Sequence, residues 1–418
     1  MTERASDTAS TTITLTVERL GHHGDGIARG AAGPVFITGM LPGEEVSGTL
    51  QGDKLVDARI VTPSAHRRRA PCSHYRACGG CALQHAHDDF VADWKQGVVA
   101  QALAGQGLEA VFRPSHTSPE RSRRRATLSG RRTKNGVTLG FHMRGSDQVI
   151  AVPNCMLLSP ELMRMQPALE ALTLAGASRK GELSLTVTIT LSGPDIAVTG
   201  GKPLDANLLQ DLGTIAETHD IARITWDGET AATRTQPMVA IGQARVPLPP
   251  GAFLQATPEG EAALLAAVRD AIGDAARVVD LFAGCGTFSL PIAERASVHA
   301  VEGSTTLTRA LAAGANTARG LQNVTTEARD LFRRPLMPDE LRHDAAIIDP
   351  PRAGAEAQIA ELSRSSIPVI AMVSCNPITF ARDAKVLVEA GYSLDWVQMV
   401  DQFRWSTHVE MVGRFSRG

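Results

Sequence analysis

No stretch of this 418-residue chain is apolar for long enough to cross a membrane, which takes about 20 consecutive helical residues. The opening residues, MTERASDTASTT, are polar and hold no signal-peptide core. Together these two absences predict a cytoplasmic protein. Charge of one sign is also missing. With 42 Lys and Arg against 44 Asp and Glu the formal net charge is −2, so any surface for nucleic acid has to be a local patch. Cysteine is scarce, at six residues, and in a chain of this size and compartment it does not predict a disulfide framework. Three of the six, Cys72, Cys78 and Cys81, nevertheless crowd into ten residues, which predicts a metal site.

The length exceeds what one core supports, so two or three domains are expected. Residues 1–10 read as a disordered tail. Between 11 and 65, short segments such as TITLTVERLG, GPVFITG and KLVDARIV alternate apolar and polar positions between glycine breaks. That pattern predicts a small β-barrel of a kind that often holds nucleic acid. Residues 66–248 read as a mostly β central domain. It carries the cysteine loop and the basic stretch RPSHTSPERSRRRATLSGRRTK, with one helical stretch near 160–176. RRRATLSG reads as a basic strand at a sheet edge, and Arg123, Arg124, Arg125, Arg131 and Arg132 are its candidate phosphate contacts, against the plainer reading of a solvated charged face. From 249 to 418 strands alternate with helices, which predicts a parallel, doubly wound α/β sheet. Ligands of such sheets sit beyond the carboxyl ends of the strands.

At one such end DLFAGCGTFSL runs from a strand through Gly284-Cys285-Gly286 into a helix, and Glu302 closes the next strand. Glycines let a ligand approach the backbone, and a carboxylate at that distance can bind ribose hydroxyls. The dinucleotide fingerprint would need a third glycine where Ser289 stands, and no phosphate-binding loop with its lysine is present. A nucleoside without phosphates fits better, and S-adenosylmethionine is the common one. Cys285 reads as a spacer in the turn. Three further strand ends carry polar groups: Asp349 in AAIIDPPR, Cys375 in VSCNP, and Glu410 in HVEMV, with Arg414 as a possible salt-bridge partner for Glu410.

A thiol, a buried carboxylate and a methyl donor suggest one chemistry. The pyrimidine ring is not nucleophilic at carbon 5 until a thiolate adds at carbon 6. A base must afterwards remove the carbon 5 proton so that the thiol can leave.

The strings RLGHHGDGIAR, CSHYRACGGCALQH, GFHMRGSDQVIAVPNC, GAFLQATPEG, DLFAGCGTFSLPIA, DPPRAG, SCNPITFARD and HVEMV resemble the bacterial RNA uracil-5-methyltransferase family from residue 11 to the end, and most of all its 23S ribosomal RNA branch. The resemblance implies a TRAM-like barrel, a central domain with an iron–sulfur loop, and a Rossmann-like class I methyltransferase domain. It implies Cys375 as nucleophile and Glu410 as base. Gln255, Phe282, Gly284, Gly286, Thr287, Glu302, Asp330 and Asp349 would lie around S-adenosylmethionine, although close relatives carry Asn at the place of Thr287. It also implies that Cys72, Cys78, Cys81 and Cys155 hold a [4Fe-4S] cluster, with a zinc site completed by His74 or His85 as the other reading. In that picture the cluster lies in a domain apart from the chemistry, RNA is the partner, and no obligate protein partner is expected. DPPR leans toward the transfer-RNA branch, while the barrel and the cysteine loop favour the ribosomal one.

Two other functions remain open at this level. An amino methyltransferase would use an Asp-Pro-Pro-aromatic motif and no thiol, but Arg352 stands at the aromatic position. An iron–sulfur RNA-binding protein with an inactive methyltransferase half would fail to bind the methyl donor.

Overall fold

The computed structural model describes residues 12–418, so the tail expected over 1–10 lies outside the described residues. Strands Thr12–Leu20, Gly26–Gly30, Gly33–Ile37, Glu45–Gln51 and Lys54–Thr62 close into a five-stranded barrel. Alternation along them turns Val17, Ala28, Val35, Ile37, Val46 and Leu55 inward to fill it. Among the described residues no helix is long and apolar enough to cross a membrane.

A seven-stranded sheet follows, running from Glu229–Thr233 at one edge to Val149–Ala151 at the other. The helices Gln166–Gly176 and Ala206–Thr218 pack against it and against each other over Leu128, Leu169, Leu185, Ile196, Leu212 and Trp226. The basic strand Arg125–Thr133 was expected at the edge of a sheet. It is instead an interior strand, paired to Glu182–Thr190 on one side and Gly136–His142 on the other. The buried residues Ala126, Leu128 and Gly130 alternate along it, so one face belongs to the core and cannot meet a ligand.

The third unit is an eight-stranded sheet. Its order is Val324–Ala328, Ser297–Glu302, Arg277–Leu281, Ala345–Ile348, Val369–Ser374, Met411–Ser416, Ser393–Asp401 and Phe112–Thr117. The first five strands are parallel, and Met411–Ser416 runs antiparallel to both of its neighbours. The strand order reverses between Arg277–Leu281 and Ala345–Ile348, which opens a crevice beyond their carboxyl ends. The last strand comes from far upstream: Phe112–Thr117 pairs in parallel with Ser393–Asp401, Phe112 opposite Val397 and Thr117 opposite Asp401. Residues 88–117, read from sequence as part of the central domain, therefore pack with the α/β sheet.

The helix Asp88–Ala104 leads into that strand. It buries Val91, Lys95, Val99 and Leu103, one residue per turn along a single stripe, and packs on the helix Pro377–Glu389. A lysine in an apolar stripe needs a partner. Lys95 Nζ lies 2.7 Å from Asp401 Oδ1, with both side chains nearly inaccessible, and it also donates to the Phe403 carbonyl. Burial pushes the Lys95 pKa down, and Asp401 opposes that fall. Removing one member of such a pair leaves a buried charge uncompensated, at a cost of ~3–5 kcal/mol. Lys95→Met should therefore lower the urea midpoint sharply, and Lys95→Met with Asp401→Asn should recover most of the loss. An unchanged midpoint in the single variant would show that the pair contributes nothing.

Candidate active site

Phe282 leaves the end of strand Arg277–Leu281 with φ 64°, a left-handed conformation that costs a side-chain-bearing residue about 1–3 kcal/mol. The turn continues through Gly284 at φ 57° and Gly286 at φ 99°. A Cβ on Gly286 would lie 3.0 Å from Leu290 and Leu311, so this glycine serves close packing behind the turn and is not part of the cleft lining. Gly284 does face the cleft, and its N–H donates to Glu302 Oε2 at 3.0 Å, while Ser304 N–H donates to Oε1 at 2.8 Å. Both Glu302 oxygens are thus oriented by backbone from two different turns. Beneath the turn Asp280 is fully buried and accepts from Ser289 Oγ at 2.5 Å. Burial lifts its pKa to about 7. The serine at the position of the missing third glycine therefore supplies a hydrogen bond to one oxygen, Oδ2, of a buried carboxyl group.

A cleft of ≈ 680 Å³ opens above these strand ends, and Gln255, Phe282, Gly284, Thr287, Glu302, Asp330 and Asp349 all line it. Cys285 also reaches the lining but is itself buried, and its thiol is pushed up to about 11 by burial. Phe332 extends the cleft wall, its ring tilted against Phe282 at 5.3 Å between centroids, and Asp330 Oδ1 accepts from Phe332 N–H at 3.0 Å.

Cys375 and Glu410 line the same cleft. Cys375 lies between the end of strand Val369–Ser374 and Asn376, which caps the helix Pro377–Glu389 by accepting from Ile378 N–H at 3.0 Å. Pro377 at the first helical position needs no N–H partner, so the chain turns at once from strand to helix and leaves the thiol at the junction. Burial pushes the Cys375 thiol up, and the nearby Glu410 and Asp349 carboxyls push it further. Arg352 acts in the opposite direction by charge and hydrogen bond, and its Nη2 lies 2.7 Å from His408 Nδ1. Asp349 is raised to about 7 by burial, and Glu410 to about 8, mainly by burial with Asp349 and Asp401 adding to it. Glu410 precedes strand Met411–Ser416 instead of lying inside it, and accepts from Gln402 Nε2. The partner suggested by sequence, Arg414, pairs with Asp395 at 3.5 Å instead.

The arginines are placed differently from expectation. Arg124 pairs with Glu261 at 2.5 Å and donates to the Gln255 carbonyl, so it holds the segment that brings Gln255 to the cleft. Arg125 lies 5.7 Å over the Phe253 ring at the mouth of the cleft, and Phe253 is 60% exposed. Arg131 pairs with Glu182, and Arg132 is exposed. Arg123 stacks on Phe403 at 5.6 Å and lines both the cleft and a second, smaller cavity.

That smaller cavity is lined by Cys72, Cys78, Cys81 and Cys155 together with His74. The four sulfurs are near enough to influence one another electrostatically, and the Gly80 N–H donates to the Cys78 sulfur at 3.4 Å. A Cβ on Gly80 would sit 3.4 Å from the Cys78 sulfur. His85 is not in that lining; its Nδ1 lies 2.5 Å from the Tyr75 hydroxyl, and it lines a larger neighbouring pocket together with Cys72, Cys78 and Cys81. Among the described residues no group of three or more His, Cys, Asp or Glu is arranged to hold a single metal ion. The cysteine site was expected apart from the chemistry, yet Arg123 is shared between the two cavities.

Sequence reading missed Gln402, His408, Phe253 and Phe332. No local pattern marks them, because three-dimensional closure alone gives them their neighbours.

Residues 249–416 match the family model for tRNA (Uracil-5-)-methyltransferase. An uncharacterized RNA methyltransferase of Caulobacter vibrioides is 43% identical over 96% of this chain and 99% of its own. The 23S rRNA (uracil(1939)-C(5))-methyltransferase RlmD of Halomonas elongata is 33% identical over 95% of this chain and 88% of its own. Among solved structures, the Pyrococcus abyssi tRNA (uracil-54, C5)-methyltransferase in complex with S-adenosyl-L-homocysteine has the same fold, with a TM-score of 0.74 at 20% identity over 96% of this chain and 99% of that one. The chain belongs to the RNA uracil-5-methyltransferase family.

Proposed function

We propose that this enzyme methylates carbon 5 of a uridine in 23S ribosomal RNA, in the cytoplasm, through a covalent bond between Cys375 and the base. The carrying observation is that one cleft gathers the Cys375 thiol, the Glu410 carboxyl and the glycine turn with Glu302. In this reading Cys375 adds to carbon 6 of a uracil turned out of its stack, and the ring electrons make carbon 5 nucleophilic. S-adenosylmethionine, when bound along Gln255, Glu302 and Asp330, supplies the methyl group. Glu410 then takes the proton from carbon 5, the electrons of that bond re-form the carbon 5–carbon 6 double bond, and the carbon–sulfur bond breaks to return the Cys375 thiolate. Asp349, raised to about 7 and beside both groups, suits contact with the uracil edge. Similarity to the Halomonas enzyme supports the ribosomal substrate. Transfer RNA is the second reading, supported by the description of the matching family model.

The four cysteines on one cavity, with the Gly80 N–H directed at the Cys78 sulfur, support a [4Fe-4S] cluster held by Cys72, Cys78, Cys81 and Cys155. A zinc ion using His74 from the same lining is the competing occupant. The barrel, proposed as a TRAM-like module, and Arg125, Arg131 and Arg132 would add contacts to RNA phosphates.

With RNA containing 5-fluorouracil the wild type should form an adduct that survives denaturing gels, and Cys375→Ala should form none while still binding RNA. Turnover by Cys375→Ala, or the lack of any adduct with the wild type, would refute the thiol role and favour an amino methyltransferase.

Glu410→Gln should still form the methylated adduct on ordinary RNA but release product ~10²–10⁴-fold more slowly. The base acts only when ionised. In the wild type, product release should therefore quicken as pH rises, with a midpoint near the Glu410 value of about 8. Release that is flat across this range would exclude Glu410.

Protein purified without oxygen should be brown, with broad visible absorption and bound iron, and Cys155→Ser should lose both. A colourless anaerobic preparation with stoichiometric zinc would overturn the cluster.

A further inference from the structure

Gln402 is 2% exposed and lies between the two working sides of the cleft. The Ala256 N–H donates to Gln402 Oε1 at 2.7 Å, which fixes the orientation of the amide. Its nitrogen must then donate, and it has two acceptors: Gln255 Oε1 at 2.5 Å and Glu410 Oε2. Every polar capacity that Gln402 needs while buried is met by a residue that lines the cleft or by its immediate neighbour. Two consequences follow from geometry alone. Because Nε2 already brings a hydrogen to Glu410 Oε2, Oε1 is the more basic of the two oxygens, and a proton taken up by Glu410 goes there at least cost. Because Gln255 Oε1 accepts from Gln402, the orientation of the Gln255 amide is set as well.

We infer that Gln402 is a positioning residue, which presents Oε1 of Glu410 as the proton-accepting oxygen and ties the base to the cofactor side chain Gln255. The inference rests on the proposed uracil chemistry. It explains how a carboxyl group only 5% exposed can act as a base. The other charged and titratable groups facing Glu410 are Asp349 from its strand end, Asp401 with Lys95 paired to it, and Cys375, with Arg352 and His408 also lining the cleft. Both neighbouring carboxyls disfavour ionisation of Glu410, and Gln402 is the contact that favours it.

The test uses full-length enzyme and a 23S rRNA transcript tritiated at uracil carbon 5, so that tritium release reports proton abstraction directly. Gln402→Met keeps the length and loses both donors. It should form the covalent adduct within about threefold of the wild-type rate, release tritium about tenfold more slowly at neutral pH, and move the midpoint of release up by about one unit. Gln402→Glu keeps the shape but sets a third carboxylate beside the base, and should move the midpoint further in the same direction. Thermal melting and adduct formation report whether each variant is folded. Unchanged tritium release and midpoint in both variants would overturn the inference. So would parallel losses of adduct formation and tritium release in both, since that pattern belongs to a packing role. If the wild type itself forms no adduct and releases no tritium, the uracil reading fails and the role of Gln402 falls with it.

Discussion

The buried pair between Lys95 and Asp401 is the constraint from which the arrangement of the cleft around Glu410 hangs. Asp401 ends the strand that carries the chain into the loop holding Gln402, Phe403 and His408, and that loop leads directly to Glu410. Lys95 also takes the Phe403 carbonyl, and Asp401 accepts from the Phe403 N–H. Further along, Arg404 and the Trp405 indole both bind Asp88 at the start of the same helix, and the Trp405 carbonyl accepts from Ala82 and Leu83 in the cysteine loop. One helix thus fixes the loop from below while the cysteine loop fixes it from the side. Buried charges tolerate little displacement, so the position of Glu410 is set by contacts made far from it in sequence.

Burial does most of the electrostatic tuning. It raises Asp349, Glu410 and Cys375; the Asp349 carboxyl raises Glu410 further, and both carboxyls raise the thiol. A base with a value near physiological pH is suited to take a proton from carbon and then lose it. Two contacts favour charge in this acidic group: Arg352 beside Cys375 and Gln402 beside Glu410. Arg123, stacked on Phe403, lines both the cleft and the cysteine cavity, so one side chain is common to the two.

What could be read from sequence was what depends on neighbours along the chain. The glycine turn, the strand-ending Asp349 and Cys375, and the alternation of the barrel strands all lie within short windows where periodicity or turn chemistry speaks. Other features were not legible because they depend on long-range pairing. Strand Phe112–Thr117 joins a sheet whose other strands begin at Arg277, and no local signal chooses that partner. For the same reason the basic strand Arg125–Thr133 reads as an edge but is interior, and Arg414 reads as the partner of Glu410 but pairs with Asp395. Gln402 shows the limit most plainly: a glutamine before Phe-Arg-Trp carries no pattern, and its meaning comes only from Gln255 and Glu410 closing around it.

The central claim is methyl transfer to carbon 5 of a uridine in 23S ribosomal RNA. The most direct measurement is to incubate the purified enzyme and S-adenosylmethionine with unmodified 23S rRNA and unmodified transfer RNA at the same salt, then identify the modified nucleosides by mass spectrometry. The account predicts 5-methyluridine at one position of the 23S rRNA and little in the transfer RNA. Methylation on an exocyclic amine, or 5-methyluridine confined to transfer RNA, would contradict it.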